Sequence, residues 1–214
     1  MIKNSNLGIY IHVPFCRRKC NYCDFYLLTN SSLIDKYINY LLREIEMYSE
    51  IYNDVSIDSI FYGGGTPSML SDNHIIDIQN ALYKYFKISE ECETTIEANP
   101  EDFLRANDKL SFLRNNKFNR ISFGVQSFND STLMFLTRLH TSDEAYRVLS
   151  EAKKYFDNIS IDMIYAVPYE SKEELSASFS KAVTLEIPHI SAYSLIFEKY
   201  TRLNTLYEQN KISR

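Results

Sequence analysis

Leu7-Gly-Ile-Tyr-Ile-His-Val13 runs straight into Pro14-Phe-Cys16-Arg-Arg-Lys-Cys20-Asn-Tyr-Cys23. Alternation over seven residues marks a strand, and the stripe that follows (Ile34, Tyr37, Ile38, Leu41, Leu42 and Ile45, within Leu33 to Tyr48) has helical spacing. The same pair recurs down the chain. A strand near Ser59 to Tyr62 leads to a helix near His74 to Phe86, Glu93 to Ala98 to a helix over Asp102 to Arg114, and Arg120 to Val125 to a helix over Asp143 to Tyr155. Ile159 to Ile164 precedes a helix over Lys172 to Leu185, and His189 to Leu195 precedes a last helix around Thr201 to Gln209. Thr141-Ser-Asp-Glu144 and Ser171-Lys-Glu-Glu174 each set a hydroxyl three residues before a carboxylate, the pattern of a capped helix start. Six strand-helix units predict an α/β fold: parallel strands with outer helices joined by right-handed crossovers, in an open sheet or curled into a partial (β/α)6 TIM-like barrel.

A chain of 214 residues fits one domain with a sizeable core, and no linker, repeat or low-complexity stretch divides it. Hydrophobic residues at 45% and charged residues at 24% exclude a disordered, collagenous or coiled-coil chain. Lys and Arg number 23 against 28 Asp and Glu, and a net charge of −5 disfavours a nucleic-acid partner, which needs a basic face to meet phosphates. No apolar run approaches the roughly 20 residues of a membrane helix, and the N-terminus lacks a signal-peptide order, so a cytoplasmic location is expected. There the four cysteines are reduced. Cys16, Cys20 and Cys23 crowd into eight residues while Cys92 stands alone.

In parallel sheets of this kind the chemistry sits at the carboxyl ends of the strands. The first strand ends at His12 and the cysteine loop, the second at Gly63-Gly64-Gly65-Thr66, and the third at Glu97 and Asn99. The fourth brings Gln126, the fifth Asp162, and the sixth Ser191, Tyr193 and Ser194. Each polar residue alone is read most simply as a solvated or hydrogen-bonded group. Glu97 and Asp162 lie among apolar neighbours, where an idle carboxylate carries a desolvation penalty, so together the six ends predict one site. His74, His140 and His189 have no metal-ligand spacing among themselves, although His140 follows Arg138 and approaches the same end.

Cys16-x3-Cys20-x2-Cys23 offers three thiolates from one loop. A 4Fe-4S cluster held by three cysteines keeps one iron open to an outside ligand. Two other readings stand beside it: a structural zinc with His12 as fourth ligand, making a non-enzymatic zinc-binding domain, and three unrelated thiols. Cys92 reads as an incidental core or surface thiol.

Tyr10-Ile-His-Val-Pro-Phe-Cys16 with Cys20-Asn-Tyr-Cys23 resembles the cluster loop of the radical S-adenosylmethionine superfamily. The resemblance is to the branch that contains oxygen-independent coproporphyrinogen III oxidase and the haem chaperones. It covers nearly the whole chain, through Phe61 to Ser68, Ile96 to Glu101, Arg120 to Phe128 and Ser160 to Tyr165 in that order. It implies a 4Fe-4S cluster on Cys16, Cys20 and Cys23, with S-adenosylmethionine chelating the open iron and its methionyl end meeting the backbone of Gly63, Gly64, Gly65 and Thr66. It further implies cofactor contacts at Tyr10, Tyr22, Glu97, Gln126, Arg138 and Asp162, some of them serving a second S-adenosylmethionine in the oxidase. An electron donor such as flavodoxin or ferredoxin would reduce the cluster, and cleavage of the sulfonium would release a 5'-deoxyadenosyl radical.

The oxidase carries a further cysteine two residues after the third ligand; Phe25 stands there instead. The resemblance therefore implies a haem chaperone, with haem or a porphyrin as partner and an acceptor protein that the sequence does not identify. Decarboxylation of coproporphyrinogen is the alternative, and whether the chain is an enzyme at all is left open. Relatives continue into a C-terminal domain, so residues 1–214 are expected to be the radical core alone, with apolar surface at an open mouth.

Overall fold

A computed structural model describes residues 7–52, 54–104 and 108–213. Its centre is a six-stranded sheet, β1 (Leu7–Val13), β2 (Ser56–Gly64), β3 (Lys87–Ala98), β4 (Arg120–Gln126), β5 (Asn158–Tyr165) and β6 (His189–Ser194), paired in sequence order and parallel throughout. The sheet is open. Register explains its two faces. Ile11, Tyr62, Ile96, Ile121 and Ile159 are successive partners across five strands, and all are buried. One residue further along, Glu97, Ser122, Ser160 and His189 are partners, as are Gly124, Asp162 and Ser191 two residues beyond Ser122. Period two thus sends apolar side chains to one face and polar ones to the other.

The apolar face is covered by helices. In α1 (Ile34–Tyr52) Ile34, Ile38, Leu41 and Ile45 form the buried stripe, and α2 (Asp72–Tyr85) adds Ile75, Ile78 and Leu82. Ser71 caps α2 by accepting from the His74 N–H, and His74 Nε2 meets Asp35 of α1 at 2.8 Å, so this histidine ties two helices together. Thr141 and Ser171 form reciprocal capping boxes at the starts of α5 (Ser142–Ala152) and α6 (Lys172–Thr184), as their spacing requires. The last helix is α7 (Arg202–Glu208). Cys92 is buried in the core beside Thr94. Among the described residues no helix is long and apolar enough to cross a membrane.

Two elements depart from the sequence pattern. The helix expected over Asp102 to Arg114 is two pieces, a single turn at Pro100–Asp102 and α3 (Lys109–Asn115); residues 105–107 of it lie outside the described residues. Pro100 suits a helix start, and the Asp102 carboxylate accepts from Arg17 at 2.7 Å and from Ser68 at 2.5 Å. The second is α4 (Asp130–Phe135), capped by the Asn129 side chain; six residues are too few to show a helical stripe.

The ends of β1 and β2 are locked together by backbone. Gly65 N–H donates to Val13 O at 2.8 Å and Thr66 N–H to Phe15 O at 2.7 Å. Gly64 adopts a φ of 113°, in the region that favours glycine, and a Cβ on Gly65 would stand 2.5 Å from Phe15 O. The glycine run is therefore demanded first by protein packing against the entry to the cysteine loop. Gly65→Ala is expected to lower stability by about 1–3 kcal/mol, seen as an earlier urea midpoint in metal-free protein; an unchanged midpoint would show that the two chain segments are free to part.

Candidate metal and cofactor site

The cysteine loop is held at its base and on both flanks. Cys16 N–H donates to Leu28 O at 3.0 Å and Leu28 N–H to Pro14 O at 2.6 Å, closing the loop on itself. Arg17 Nε reaches Asp102 after β3. On the other flank Arg18 donates to the carbonyls of Thr137 and Arg138, and Asn21 donates through its backbone to Thr137 Oγ1 at 3.0 Å and through Nδ2 to Phe135 O at 2.6 Å. The loop is thus sewn to the exits of β3 and α4, neither adjacent in sequence.

Beside it lies a cleft of about 550 Å³ at the carboxyl ends of the strands. Cys16, Cys20 and Cys23 open on it, as does Tyr22. Gly64, Gly65 and Thr66 form one wall, while Glu97, Gln126, Arg138 and Asp162 come from the opposite exits. Gln126 sits at a φ of 68° where the β4–β5 register slips, which re-aims a polar side chain at the end of a strand. Tyr193 and Ser194 of β6 also line the cleft, and Ser191 hydrogen-bonds Asp162. Tyr10 does not join the wall: it lies on the polar face, stacked on Phe61 with its hydroxyl 3.4 Å from His12 Nδ1.

Charge is concentrated here. Burial alone would weaken the Arg138 cation, but Tyr22, Cys20 and Glu101 around it outweigh that and hold its pKa above the ordinary value. Its Nη1 donates to Cys20 Sγ at 3.4 Å, and its Nη2 to Asn99 Oδ1 at 2.5 Å and to Gly124 O at 2.8 Å. Burial raises the Tyr22 hydroxyl far above its usual range. Glu97 is pushed up to about 7 by burial, against the Gly64 N–H that donates to it at 3.1 Å, with the Asp162 charge adding to the rise. Burial raises Asp162 too, while Ser191 and then Arg120 oppose it. Glu101 moves the other way: its burial is overcome by a hydrogen bond to His140 and by the Arg138 charge. His140, buried, spans Glu101 Oε2 at 3.0 Å and Val125 O at 3.1 Å.

Sequence pattern placed Asn99 at a strand end but missed the part played by Glu101 and Asn21. Asn99-Pro-Glu101 follows β3 directly, and position at a strand exit was the signal available for Glu101. Asn21 gave none, because its partners lie in α4 and the turn after it, more than a hundred residues away.

The donor set suits a cluster better than a single ion. Cys16, Cys20 and Cys23 all open on the cleft from one loop, three thiols where a closed tetrahedral zinc site would need a fourth ligand. His12, the fourth ligand a zinc site would take, pairs with Tyr10 and packs over Gly64. Arg138 Nε is buried without a partner next to the cleft, an orphan donor that fits an anionic group there.

Residues 10–182 match the family model for the Radical SAM superfamily. The heme chaperone HemW of Buchnera aphidicola subsp. Acyrthosiphon pisum is 38% identical over 208 residues, which are 96% of this chain and 54% of that protein. The heme chaperone HemW of Escherichia coli K12 is 33% identical over 204 residues, 94% of this chain and 53% of that protein. Coproporphyrinogen III oxidase (HemN) from Escherichia coli, described as a radical SAM enzyme, superposes with a TM-score of 0.86 at 26% identity, covering 97% of this chain and 47% of that one. The chain spans about half the length of the curated relatives it matches.

The Glu97 carboxyl gives a stability test. Unfolded it ionises near 4.5, folded it keeps its proton to about 7, so the native state loses stability as pH rises through that window and the loss is complete above it. Glu97→Gln removes the loss. The variant is expected to be more stable than wild type by about 1–3 kcal/mol above neutrality, the gap closing toward pH 4; denaturant midpoints that run parallel across this range would show Glu97 to be freely solvated.

Proposed function

The chain belongs to the Radical SAM superfamily, and on that premise we propose that it is the core of a haem chaperone. Cys16, Cys20 and Cys23 would hold a 4Fe-4S cluster, S-adenosylmethionine would occupy the cleft, and haem or a porphyrin would be the cargo. The observation that carries this is the convergence of three thiols, two half-buried carboxylates and one buried guanidinium on a single cleft. A methionyl group presents an ammonium, a carboxylate and a sulfonium together, and those charges find complements in Glu97, Asp162 and Arg138.

When bound, the cluster and the sulfonium nucleotide supply reductive cleavage of a carbon-sulfur bond, with the electron coming from a donor such as flavodoxin or ferredoxin. The chain's own residues bind and orient. Glu97 in its ionised form accepts from ammonium or ribose hydroxyl groups, and Asp162, fixed by Ser191, can do the same from β5. Arg138 offers its unpartnered Nε to an anionic group while its other nitrogens are spent on Cys20, Asn99 and Gly124. Gly64 and Gly65 leave the β2 exit without side chains.

Phe25 and Ile196 line the outer cleft and are 69% and 62% exposed, an apolar rim suited to a flat macrocycle. The oxidase's extra thiol belongs where Phe25 stands, and Phe25 has no proton or electron to give. Chaperone function without decarboxylation is the reading this supports.

Anaerobic reconstitution tests it. Wild type is expected to take up several irons and equivalent sulfide, to bind S-adenosylmethionine and haem, and to release no carbon dioxide from coproporphyrinogen. Changing Cys16, Cys20 and Cys23 together to Ala is expected to abolish sulfide uptake and weaken the nucleotide at least about tenfold, about 1.4 kcal/mol. One tightly held zinc per chain, or equal nucleotide affinity in wild type and triple variant, would end the proposal.

A further inference from the structure

Asn99, at the exit of β3, stands between Thr66 at the exit of β2 and Arg138. Arg138 can only donate, so the oxygen of the Asn99 amide faces Arg138 Nη2 at 2.5 Å and its NH2 faces Thr66 Oγ1 at 3.1 Å. Thr66, 3% exposed, therefore accepts from Asn99 and keeps its own proton to give. The atom that waits for it is Cys16 Sγ, 3.2 Å away. At the other end Arg138 Nη1 donates to Cys20 Sγ at 3.4 Å. One chain of hydrogen bonds thus runs Cys20, Arg138, Asn99, Thr66, Cys16, with both ends donating to sulfur. Cys23 is served separately, by the backbone of Phe25.

We infer that Asn99 is a positioning residue for reduction of the cluster: it fixes the direction of this chain so that two of the three ligating sulfurs accept hydrogen bonds. Donors to cluster sulfur favour the more negatively charged, reduced state and so raise the reduction potential. Thr66 left to itself could turn its hydroxyl elsewhere; Asn99 removes that freedom. Because Asn99 touches neither sulfur, it acts wholly through Thr66 and Arg138. The inference rests on the cluster reading above.

The test is the potential of the reconstituted cluster, followed by electron paramagnetic resonance during a dye-mediated titration. Asn99→Ala and Thr66→Val, each with wild-type iron and sulfide content, are expected to lower the ratio of reduced to oxidised cluster at a fixed poise by about tenfold, about 59 mV for a one-electron couple. The double variant is expected to fall short of the product of the two, since both remove the same donor to Cys16. Thr66→Ser keeps the hydroxyl and should titrate like wild type. Asn99→Ser is read in the same way where Asn99→Ala assembles poorly. Wild-type potentials in the Asn99 variants, or fully multiplicative effects, would overturn the inference. Failure of wild type to take up sulfide at all would sink the underlying cluster reading instead.

Discussion

A guanidinium taken out of water must be compensated on every side, and Arg138 is where this molecule meets that demand. Its hydrogen bonds reach Cys20 in the loop after β1, Asn99 after β3 and Gly124 within β4. Tyr22, Cys20 and Glu101 supply the electrostatic partners, and His140 in turn steadies Glu101 while bonded to the β4 backbone. Breaking any one contact leaves a buried charge short of a partner, which is far more damaging than losing an ordinary hydrogen bond. The cysteine loop is therefore held by a cation 118 residues away in sequence as well as by its own turns.

The same cleft holds Glu97 and Asp162, whose carboxyl groups are both raised because burial disfavours their charged forms. The buried Nε of Arg138 has no partner of its own. Such groups lower their free energy when a ligand carrying both signs of charge arrives, and this couples occupancy of the cleft to the stability of the strand exits around it.

Much of this could be seen in the residues alone. β1 has the bounds its alternation implies, and the two capping boxes form as their spacing requires. The cysteine loop, Glu97, Gln126 and Asp162 all reach the carboxyl end of the sheet, because parallel strands all end on the same side. Less legible were features with distant causes. The Asp102 carboxylate accepts from Arg17 and from Ser68, partners distant in sequence, and the tightness at Gly65 comes from the backbone of Phe15 fifty residues earlier. Tyr10 has the right strand but lies six positions before Cys16, where the chain first lines the cleft.

What the sequence determined by itself was which atoms are available and on which face of which element they fall, since periodicity and capping are local and act within a few residues. The tertiary structure alone decided which of those atoms are partners. Asn99 is an unremarkable amide in the chain; it becomes the link between Thr66 and Arg138 because pairing of β2, β3 and β4 sets three exits side by side. Hydrogen bonds and charges act over a few ångströms in space, and only folding converts separations of thirty to one hundred and twenty residues into distances of that order.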